Sequence, residues 1–341
     1  MRVLWGGLAV AFLALGVSSA VRAEDEKLVF ALNNPATSNF TQQAIMPWVE
    51  RINAKGTGIF KIDPRPGFVL TNFNNYYDRV QADVVQIGWG LQSAVGGKFQ
   101  ASEVAGLPWG ELKSEILSVA LYRLIKSGVL DSEYVDTVPL LINSFPGGGI
   151  HLSARPPALD NYAGLKIQSS GKLQSELISL MGGISIATQP GEIYESLQRG
   201  VIQGTSTGWV AFGAFKLAEV TFHHIDNVPK ATSIGIVMMS RKKFNALSPA
   251  AQKIMLEAQS EQEVRTFGAF WDRDNAFERN RVAAMAGHTV VDMPAEQSAR
   301  LVKKFEPVFD RWAAGVPNGK AVLEKYREIL AQVQHEPTLG K

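Results

Sequence analysis

The sequence predicts an α/β protein with two lobes. Short apolar segments typical of strands alternate with amphipathic helical segments along the whole chain. The 341 residues exceed the size of one typical domain. One helical pattern, over residues 248–286, is also longer than a single lobe of this chain would contain. These three observations favour two α/β units braced by a helix that spans both.

The first half of the chain supplies the elements of the first lobe. Its predicted strands are residues 28–32, 84–87 and 138–142, and its predicted helices are residues 41–54 and 112–129. A glycine-rich segment, residues 145–151, follows the third strand and lies between two extended segments. Glycine tolerates backbone conformations that other residues avoid, so this segment predicts a hinge where the chain crosses between lobes.

The second half continues the alternation. Its predicted strands are residues 165–167, 184–187, 201–202, 233–240 and 288–291, and its predicted shorter helices are residues 173–181 and 191–199. We therefore predict lobe I from residues 24–147 and 233–270, and lobe II from residues 148–232 and 271–341.

The long helical pattern has clear start and stop signals. Ser248 is a good N-cap, Pro249 suits the first turn, and Gly287 ends the pattern. A continuous helix of about 38 residues would be roughly 57 Å long at 1.5 Å per residue. Half of this chain has a radius of gyration of only about 15 Å. The pattern therefore predicts one helix that crosses both lobes.

Residues 1–23 have the layout of a secretory signal peptide. Arg2 precedes an apolar segment at residues 3–17, and small residues lead to a predicted cleavage site after Ala23. The apolar segment is short for a membrane span, and no other segment approaches the roughly 20 apolar residues that a span needs. We expect a periplasmic protein without stable membrane insertion.

Composition narrows the possible partners. The chain contains no cysteine, so an exported form depends on its hydrophobic core, which 46% apolar residues can supply. The 34 basic residues less Arg2 and Arg22 equal the 32 acidic residues, so the chain after the leader has no net charge. A neutral surface without a basic run argues against nucleic acid as a partner.

Residues 204–208 match the G-x-S-x-G pattern of a hydrolase nucleophile, with Ser206 at the centre. Asp226 and His288 follow in the order that a catalytic triad requires. However, only Val201 and Ile202 form an apolar strand before the turn, whereas a nucleophile elbow follows a long buried strand. We expect no enzyme, and we keep a periplasmic serine hydrolase that uses Ser206 as the alternative.

The sequence predicts no cofactor and no metal. His223 and His224 are adjacent, so in a strand they point to opposite faces and do not chelate one ion together. Residues 88–90 begin like a dinucleotide-binding loop but lack its third glycine.

Polar and aromatic residues instead gather at strand ends and helix starts, where α/β proteins bind ligands. The candidate ligand-binding residues are Asn33, Asn72, Trp89, Gln92, Phe145, His151, Gln168, Lys172, Thr207 and Trp209.

Several motifs in order resemble the solute-binding proteins of TRAP transporters. The most specific is residues 191–204, GEIYESLQRGVIQG, which is similar to the family's E-V-Y-x-A-L-Q-x-G-V-V-D-G. The others are GLKI at residues 164–167, MGGI at 181–184, KLAEV at 216–220, LPW at 107–109 and LSP at 247–249. The resemblance implies two lobes joined by crossing hinge strands that close on a small organic ligand. It also implies delivery of that ligand to TRAP membrane subunits. A binding protein of the same fold that serves a sensor is the alternative.

The sequence departs from the family pattern at the ligand site. Most relatives carry an arginine after G-L-K-I, which binds the ligand's carboxylate, and this chain has Gln168 there. Three readings follow. The ligand is neutral or zwitterionic, or it is an acid held by Lys172 or His151, or its anion lies at the helix N-terminus of residues 169–171. Trp89 and Trp209, one from each lobe, favour a flat or apolar ligand.

Overall fold

The computed structural model describes residues 25–156 and 158–339. The predicted signal peptide, residues 1–23, lies outside the described residues.

A five-stranded sheet forms the centre of the first lobe. Its strands are β1 Glu26–Leu32, β2 Phe60–Pro66, β3 Ile87–Leu91, β4 Thr137–Ser144 and, from much later in the chain, β10 Ile234–Ser240. The strand order is β2-β1-β3-β10-β4. The first three strands are parallel, whereas β10 runs antiparallel to both β3 and β4.

A six-stranded sheet forms the centre of the second lobe. Its strands are β5 Gly148–Leu152, β6 Lys166–Ser169, β7 Ile184–Ala187, β8 Gly204–Thr205, β9 His223–Val228 and β11 Thr289–Asp292. Their order is β11-β9-β5-β8-β6-β7. The predicted strand at residues 201–202 is wrong, because the paired residues are Gly204 and Thr205, which join β6 to β5.

Helices cover the two sheets. They are α1 Met46–Lys55, α2 Tyr76–Gln81, α3 Ser114–Lys126, α4 Lys172–Leu180, α5 Ile193–Gln198, α6 Val210–Phe215, α7 Arg241–Ala246, α8 Pro249–Glu257, α9 Glu261–Ala283, α10 Ala295–Gly315 and α11 Gly319–Val333. A π-helical turn at Phe40–Ile45 precedes α1. Short 3-10 turns lie at Gln92–Ala94, Ser102–Gly106, Asp131–Glu133, Pro190–Glu192 and Leu217–Glu219. The predicted two-lobed α/β fold is confirmed.

The chain crosses between the two sheets at two neighbouring places. It leaves the first sheet after Ser144 and enters the second at Gly148; it leaves the second after Val228 and returns at Ile234. Both crossings are short, and they lie side by side because β4 and β10 are paired. The two sheets therefore face each other across a cleft whose floor consists of these crossings.

The prediction of one continuous helix over residues 248–286 is wrong. The pattern divides into α8 and α9, which are separated by residues 258–260. Ser260 begins the second helix, since its hydroxyl accepts a hydrogen bond from the backbone N–H of Glu263 at 3.3 Å. A serine three residues before a glutamate is itself a helix-start signal, and it overrides the apolar periodicity that continues through it.

The helix α9 still contacts both lobes. Its N-terminal half lies along α3, where the Asp272 carboxylate accepts hydrogen bonds from the backbone N–H groups of Ser114 and Glu115. Towards its C-terminal end, Arg279 forms an ion pair with Asp226 of β9 in the second sheet. One rigid helix of 23 residues thus joins the two lobes behind the cleft.

The C-terminal helix departs from the predicted division of the chain. Residues 271–341 are expected in lobe II, but α11 lies against α3 of the first lobe. The Tyr326 hydroxyl donates to the carbonyl of Leu117, and Arg123 forms an ion pair with Glu336 just beyond α11. The chain therefore returns to lobe I after α10. The other lobe boundaries stay a prediction.

The contact between α3 and α9 depends on Gly268. A Cβ at this position would overlap the backbone of Glu115. Replacing a mid-helix glycine by alanine ordinarily stabilises a helix by about 1 kcal/mol. We expect Gly268→Ala to lower the free energy of unfolding instead, by roughly 1–3 kcal/mol, because the helices must separate. Urea denaturation monitored by circular dichroism measures the change.

Gly315→Ala is the matched control, because a Cβ at the end of α10 would meet no atom within 4 Å. We expect it to be neutral or slightly stabilising. A stabilising Gly268→Ala substitution would contradict the close packing of α3 against α9.

Candidate functional site

A cavity of about 690 Å³ lies in the cleft between the two sheets. Both crossings contribute to its wall. The first supplies Phe145 and Pro146, and the second supplies Lys230, Thr232 and Ser233. A pocket in this position, between two lobes, is typical of a site for a small organic ligand.

Aromatic rings form most of the apolar wall. Phe73 and Trp89 come from the first lobe, Phe215 comes from the second, and Phe145 and Trp271 lie between them. The rings of Phe145 and Trp271 have their centroids 4.7 Å apart. The wall therefore presents ring edges and faces from several directions, as binding of a flat apolar group requires.

Lys230 is the only charged side chain of the cavity wall among the residues that the structure describes. It is 6% exposed, and burial lowers its pKa to about 8, although the negative charge of Asp226 opposes the shift. No described carboxylate forms an ion pair with it. Asp226 instead accepts a hydrogen bond from Trp209 and forms an ion pair with Arg279. The cavity thus contains a buried cation without a protein counter-ion.

Hydroxyl and amide groups also line the wall. Gln174 bridges the lobes, since its amide donates to the Ser233 hydroxyl at 3.2 Å and its carbonyl accepts from the backbone N–H of Ser170 at 2.8 Å. Ser170, Gln174 and Ser233 all line the cavity. These hydrogen bonds hold the start of α4 against the second crossing.

Three of the predicted site residues line this cavity, and a fourth lines a smaller pocket beside it. Trp89, Phe145 and Thr207 lie in the cavity wall, and Gln92 lies in the adjoining pocket. The remaining predicted residues lie outside the cavity wall. They are Asn33, Asn72, His151, Gln168, Lys172 and Trp209.

The side-chain amide and carbonyl of Gln168 both form hydrogen bonds with neighbouring residues. Its carbonyl oxygen accepts from the Thr205 hydroxyl at 2.6 Å, and its amide donates to the carbonyl of Thr188 and to the hydroxyl of Ser170. The side chain is completely buried. It joins β6 to β8 and orients Ser170, which itself lines the cavity.

Three other predicted residues have local roles. Asn33 is buried, donates to the carbonyl of Trp89 at 2.8 Å and accepts from Thr71. Asn72 is exposed and accepts from backbone N–H groups of the turn before α2. Lys172 is exposed in the first turn of α4. In this structure none of the three reaches the cavity.

A chain of three histidines lies behind the cavity wall. The carbonyl of Thr207 accepts from His151 Nε2 at 3.3 Å, so the His151 Nδ1 is an acceptor for the Nδ1–H of His224 at 3.1 Å. His224 Nε2 then accepts from the Nδ1–H of His288 at 3.1 Å. Trp209 packs against His151 with ring centroids 4.5 Å apart. The neutral imidazoles thus form one directed chain that fixes the Thr207 loop.

The histidine chain makes stability depend on pH. Burial lowers the pKa of His224 to about 3, with the positive charges of His288 and His223 as further causes. The unfolded chain, with a pKa near 6.5, binds more protons in the window between these values, so stability falls as the pH falls. Between pH 7 and pH 5 the free energy of unfolding of the wild type should therefore decrease. We expect this decrease to be about 2 kcal/mol smaller in His224→Phe.

Urea denaturation of the wild type and His224→Phe at both pH values measures this difference. The comparison uses the slope, so a constant loss of stability in the variant does not affect it. Equal slopes for the two proteins would show that His224 is not held neutral.

Ser206 lies in the cavity wall but not in a catalytic triad. The two candidate partners are used elsewhere, since Asp226 is bound to Arg279 and His288 donates to His224. The strand before it consists of Gly204 and Thr205. Neither candidate partner is hydrogen-bonded to the Ser206 hydroxyl, so neither activates it as a nucleophile in this structure.

Sequence reasoning did not find Lys230 or Trp271. Lys230 interrupts an otherwise apolar and small-residue segment between β9 and β10, and a lysine at that point signals a functional role. Trp271 lies on α9, where its spacing resembles that of an ordinary core residue. Only the packing of α9 across the cleft places it at the ligand cavity.

Among the described residues, no helix combines the length and apolar character needed to cross a bilayer. Likewise, no three acidic or histidine side chains in the described part of the chain are grouped as ligands for a metal ion.

The sequence profile of the bacterial extracellular solute-binding proteins, family 7 (DctP), matches residues 30–315. The chain belongs to this family. A curated solute-binding protein of Sulfitobacter sp. is 23% identical over 192 residues, which cover 55% of this chain and 57% of that protein. The chain spans about half the length of the curated relatives that it matches.

Solved structures of TRAP solute-binding proteins share the fold. One from Rhodoferax ferrireducens, solved with copurified benzoate, has a TM-score of 0.84 at 22% identity and covers 90% of this chain and 98% of its own. One from a marine metagenome, solved with 3-hydroxybenzoate, has a TM-score of 0.84 at 20% identity and covers 91% and 99%. At these identities the likeness shows the fold alone.

Proposed function

We propose that the protein is the periplasmic solute receptor of a TRAP-type secondary transporter and that it binds a small aromatic carboxylate. In this proposal the ring occupies the aromatic part of the cavity and the carboxylate pairs with Lys230. Membrane subunits of the transporter then accept the solute.

The observation that carries the proposal is the unpaired buried cation. Burying a charge without a partner is costly, and Lys230 retains this cost because Asp226 is already paired with Arg279. A ligand carboxylate would remove the cost on binding and would gain a charge-assisted hydrogen bond. The position of the usual arginine does not supply this charge, since Gln168 lies outside the cavity wall.

The rest of the cavity supports an aromatic ligand rather than a sugar. Its wall combines one buried charge and several hydroxyl groups with the rings of Trp89, Phe145 and Trp271. Two structures with the same fold contain benzoate and 3-hydroxybenzoate, which have a ring and one carboxylate.

In this proposal, closure of the two lobes couples ligand binding to delivery of the solute to the transporter. The first lobe contributes Phe73 and Trp89 to the cavity, and the second contributes Thr207 and Phe215. A ligand that contacts both lobes stabilises the closed arrangement by the contacts that it makes only there. At the mouth of the cleft, Phe68 of the first lobe lies against Gly191 of the second.

Substitution of Lys230 tests the proposal directly. Lys230→Met keeps the length and apolar part of the side chain but removes its charge. We expect it to weaken benzoate binding by about tenfold to hundredfold, the loss of one charge-assisted hydrogen bond of roughly 1.5–3 kcal/mol. Isothermal titration calorimetry measures the dissociation constants.

Lys172→Met is the matched control, because Lys172 is exposed and outside the cavity wall. We expect it to bind benzoate as the wild type does. Equal affinities of the wild type and Lys230→Met would disprove the role of Lys230.

The pKa of Lys230, lowered to about 8 mainly by burial, makes carboxylate binding depend on pH. A carboxylate binds the protonated amine, so affinity is constant below pH 8 and falls as the pH rises above it. The expected decline approaches tenfold per pH unit, because each binding event must then take up a proton. Titrations of benzoate at pH 7, 8, 9 and 10 measure it. Lys230→Arg, whose guanidinium stays charged, should show a flat profile.

A further inference from the structure

A second, smaller pocket of about 330 Å³ adjoins the ligand cavity. We call it the side pocket. It shares four wall residues with the cavity, so the two spaces adjoin along the start of α4 and the second crossing. The shared residues are Ser170, Gln174, Thr232 and Ser233.

Groups of the first lobe in the side pocket are acceptors without partners. Gln92 is 2% exposed, and its amide donates to Tyr134 at 2.7 Å, but its carbonyl oxygen has no hydrogen bond among the described residues. The Ser93 hydroxyl is buried and also without a described partner. Glu103 accepts no hydrogen bond from any described residue. The buried oxygens of Gln92 and Ser93 thus lack the partners that buried polar atoms ordinarily have, and the half-buried Glu103 carboxyl group is also without a described donor.

The carboxyl group of Glu103 is only partly ionised at neutral pH. Burial raises the pKa of its carboxyl group to about 7, the negative charge of Glu133 adds to the shift, and Lys172 opposes it. In either protonation state the carboxyl group keeps an oxygen that accepts a hydrogen bond.

The second lobe provides donors on the opposite side of the same pocket. The N-cap residue of α4 is Gly171, which has no side chain to cap the first turn. Gly171 and Leu173 line the side pocket, and the backbone N–H of Leu173 has no acceptor among the described residues. The first N–H groups of a helix point outward and favour an acceptor.

A ligand group in this pocket must therefore both donate and accept. A carboxylate would face the oxygens of Gln92 and Glu103, and an ammonium group would face the positive end of α4. A hydroxyl group donates one proton to an acceptor such as Glu103 and accepts from an N–H group with its lone pairs. It is also small enough for a pocket of this volume.

We propose that the side pocket binds a hydroxyl substituent of the ligand, so that the solute class is hydroxylated aromatic carboxylates. This inference rests on the proposed function. The ring and the carboxylate occupy the main cavity, and the hydroxyl group extends past Ser170 and Ser233 into the side pocket. A site built around unpaired acceptors discriminates strongly against analogues that lack the donor.

The test compares benzoate with the three hydroxybenzoates and mandelate by isothermal titration calorimetry. We expect at least one hydroxylated acid to bind the wild type at least about tenfold more tightly than benzoate, as one hydrogen bond to a charged or buried acceptor supplies. In Glu103→Leu this preference should fall by at least about threefold, whereas benzoate affinity stays unchanged. Glu103→Gln, which keeps an acceptor oxygen, should retain most of the preference.

The outcomes separate the two proposals. Benzoate binding that depends on Lys230, with no preference for any hydroxylated acid, would overturn the side-pocket inference alone. A preference that persists unchanged in Glu103→Leu would do the same. Tighter binding of 3-(aminomethyl)benzoate than of every hydroxylated acid would assign the pocket to an ammonium group instead. No binding of any carboxylate would overturn both proposals. Thermal melting of each variant confirms that it is folded.

Discussion

The return of the chain into the first sheet is the constraint on which the lobes and the cavity depend. Every residue of β10 is buried, and the strand pairs with β3 on one side and β4 on the other. Because β10 follows the second lobe in the sequence, the chain crosses the cleft after Ser144 and again after Val228. Hydrophobic burial of one strand thus fixes both crossings, and with them Phe145 and Lys230, at the floor of the cavity.

Buried polar side chains whose hydrogen bonds are all made within the protein have a structural role, whereas those that lack a partner are available to a ligand. Gln168 is buried and fully paired, so it holds two strands together and offers nothing to a solute. His151 and His224 likewise satisfy each other and the Thr207 carbonyl. Lys230 lacks an ion-pair partner in the described residues, and it borders the cavity. An unpaired buried charge beside open space is the arrangement in which an added ligand gains most.

The predicted strands and helices show where local sequence patterns are sufficient to locate an element and where they are not. Most strands of the two sheets appear within a few residues of their predicted bounds, because apolar segments and turn signals mark them, whereas β2, β5 and β9 have no predicted counterpart. The long helix fails at Ser260, because apolar spacing continues across a residue whose side chain caps a new helix. Conversely, Gly268 weakens the helical pattern, yet it lies in mid-helix because α3 approaches too closely for any side chain. Neither outcome is visible without the neighbouring element.

The sequence by itself determined the fold class, the two-lobed organisation and the membership of a solute-binding family. These follow from periodicity, length and ordered motifs, which are local properties of the chain. Tertiary structure alone decided which of the candidate residues line the cavity. Trp89, Phe145 and Thr207 lie in the cavity, whereas Gln168 turns away from it. Lys230 gains its significance only there, because whether a charge is paired depends on residues from distant parts of the sequence.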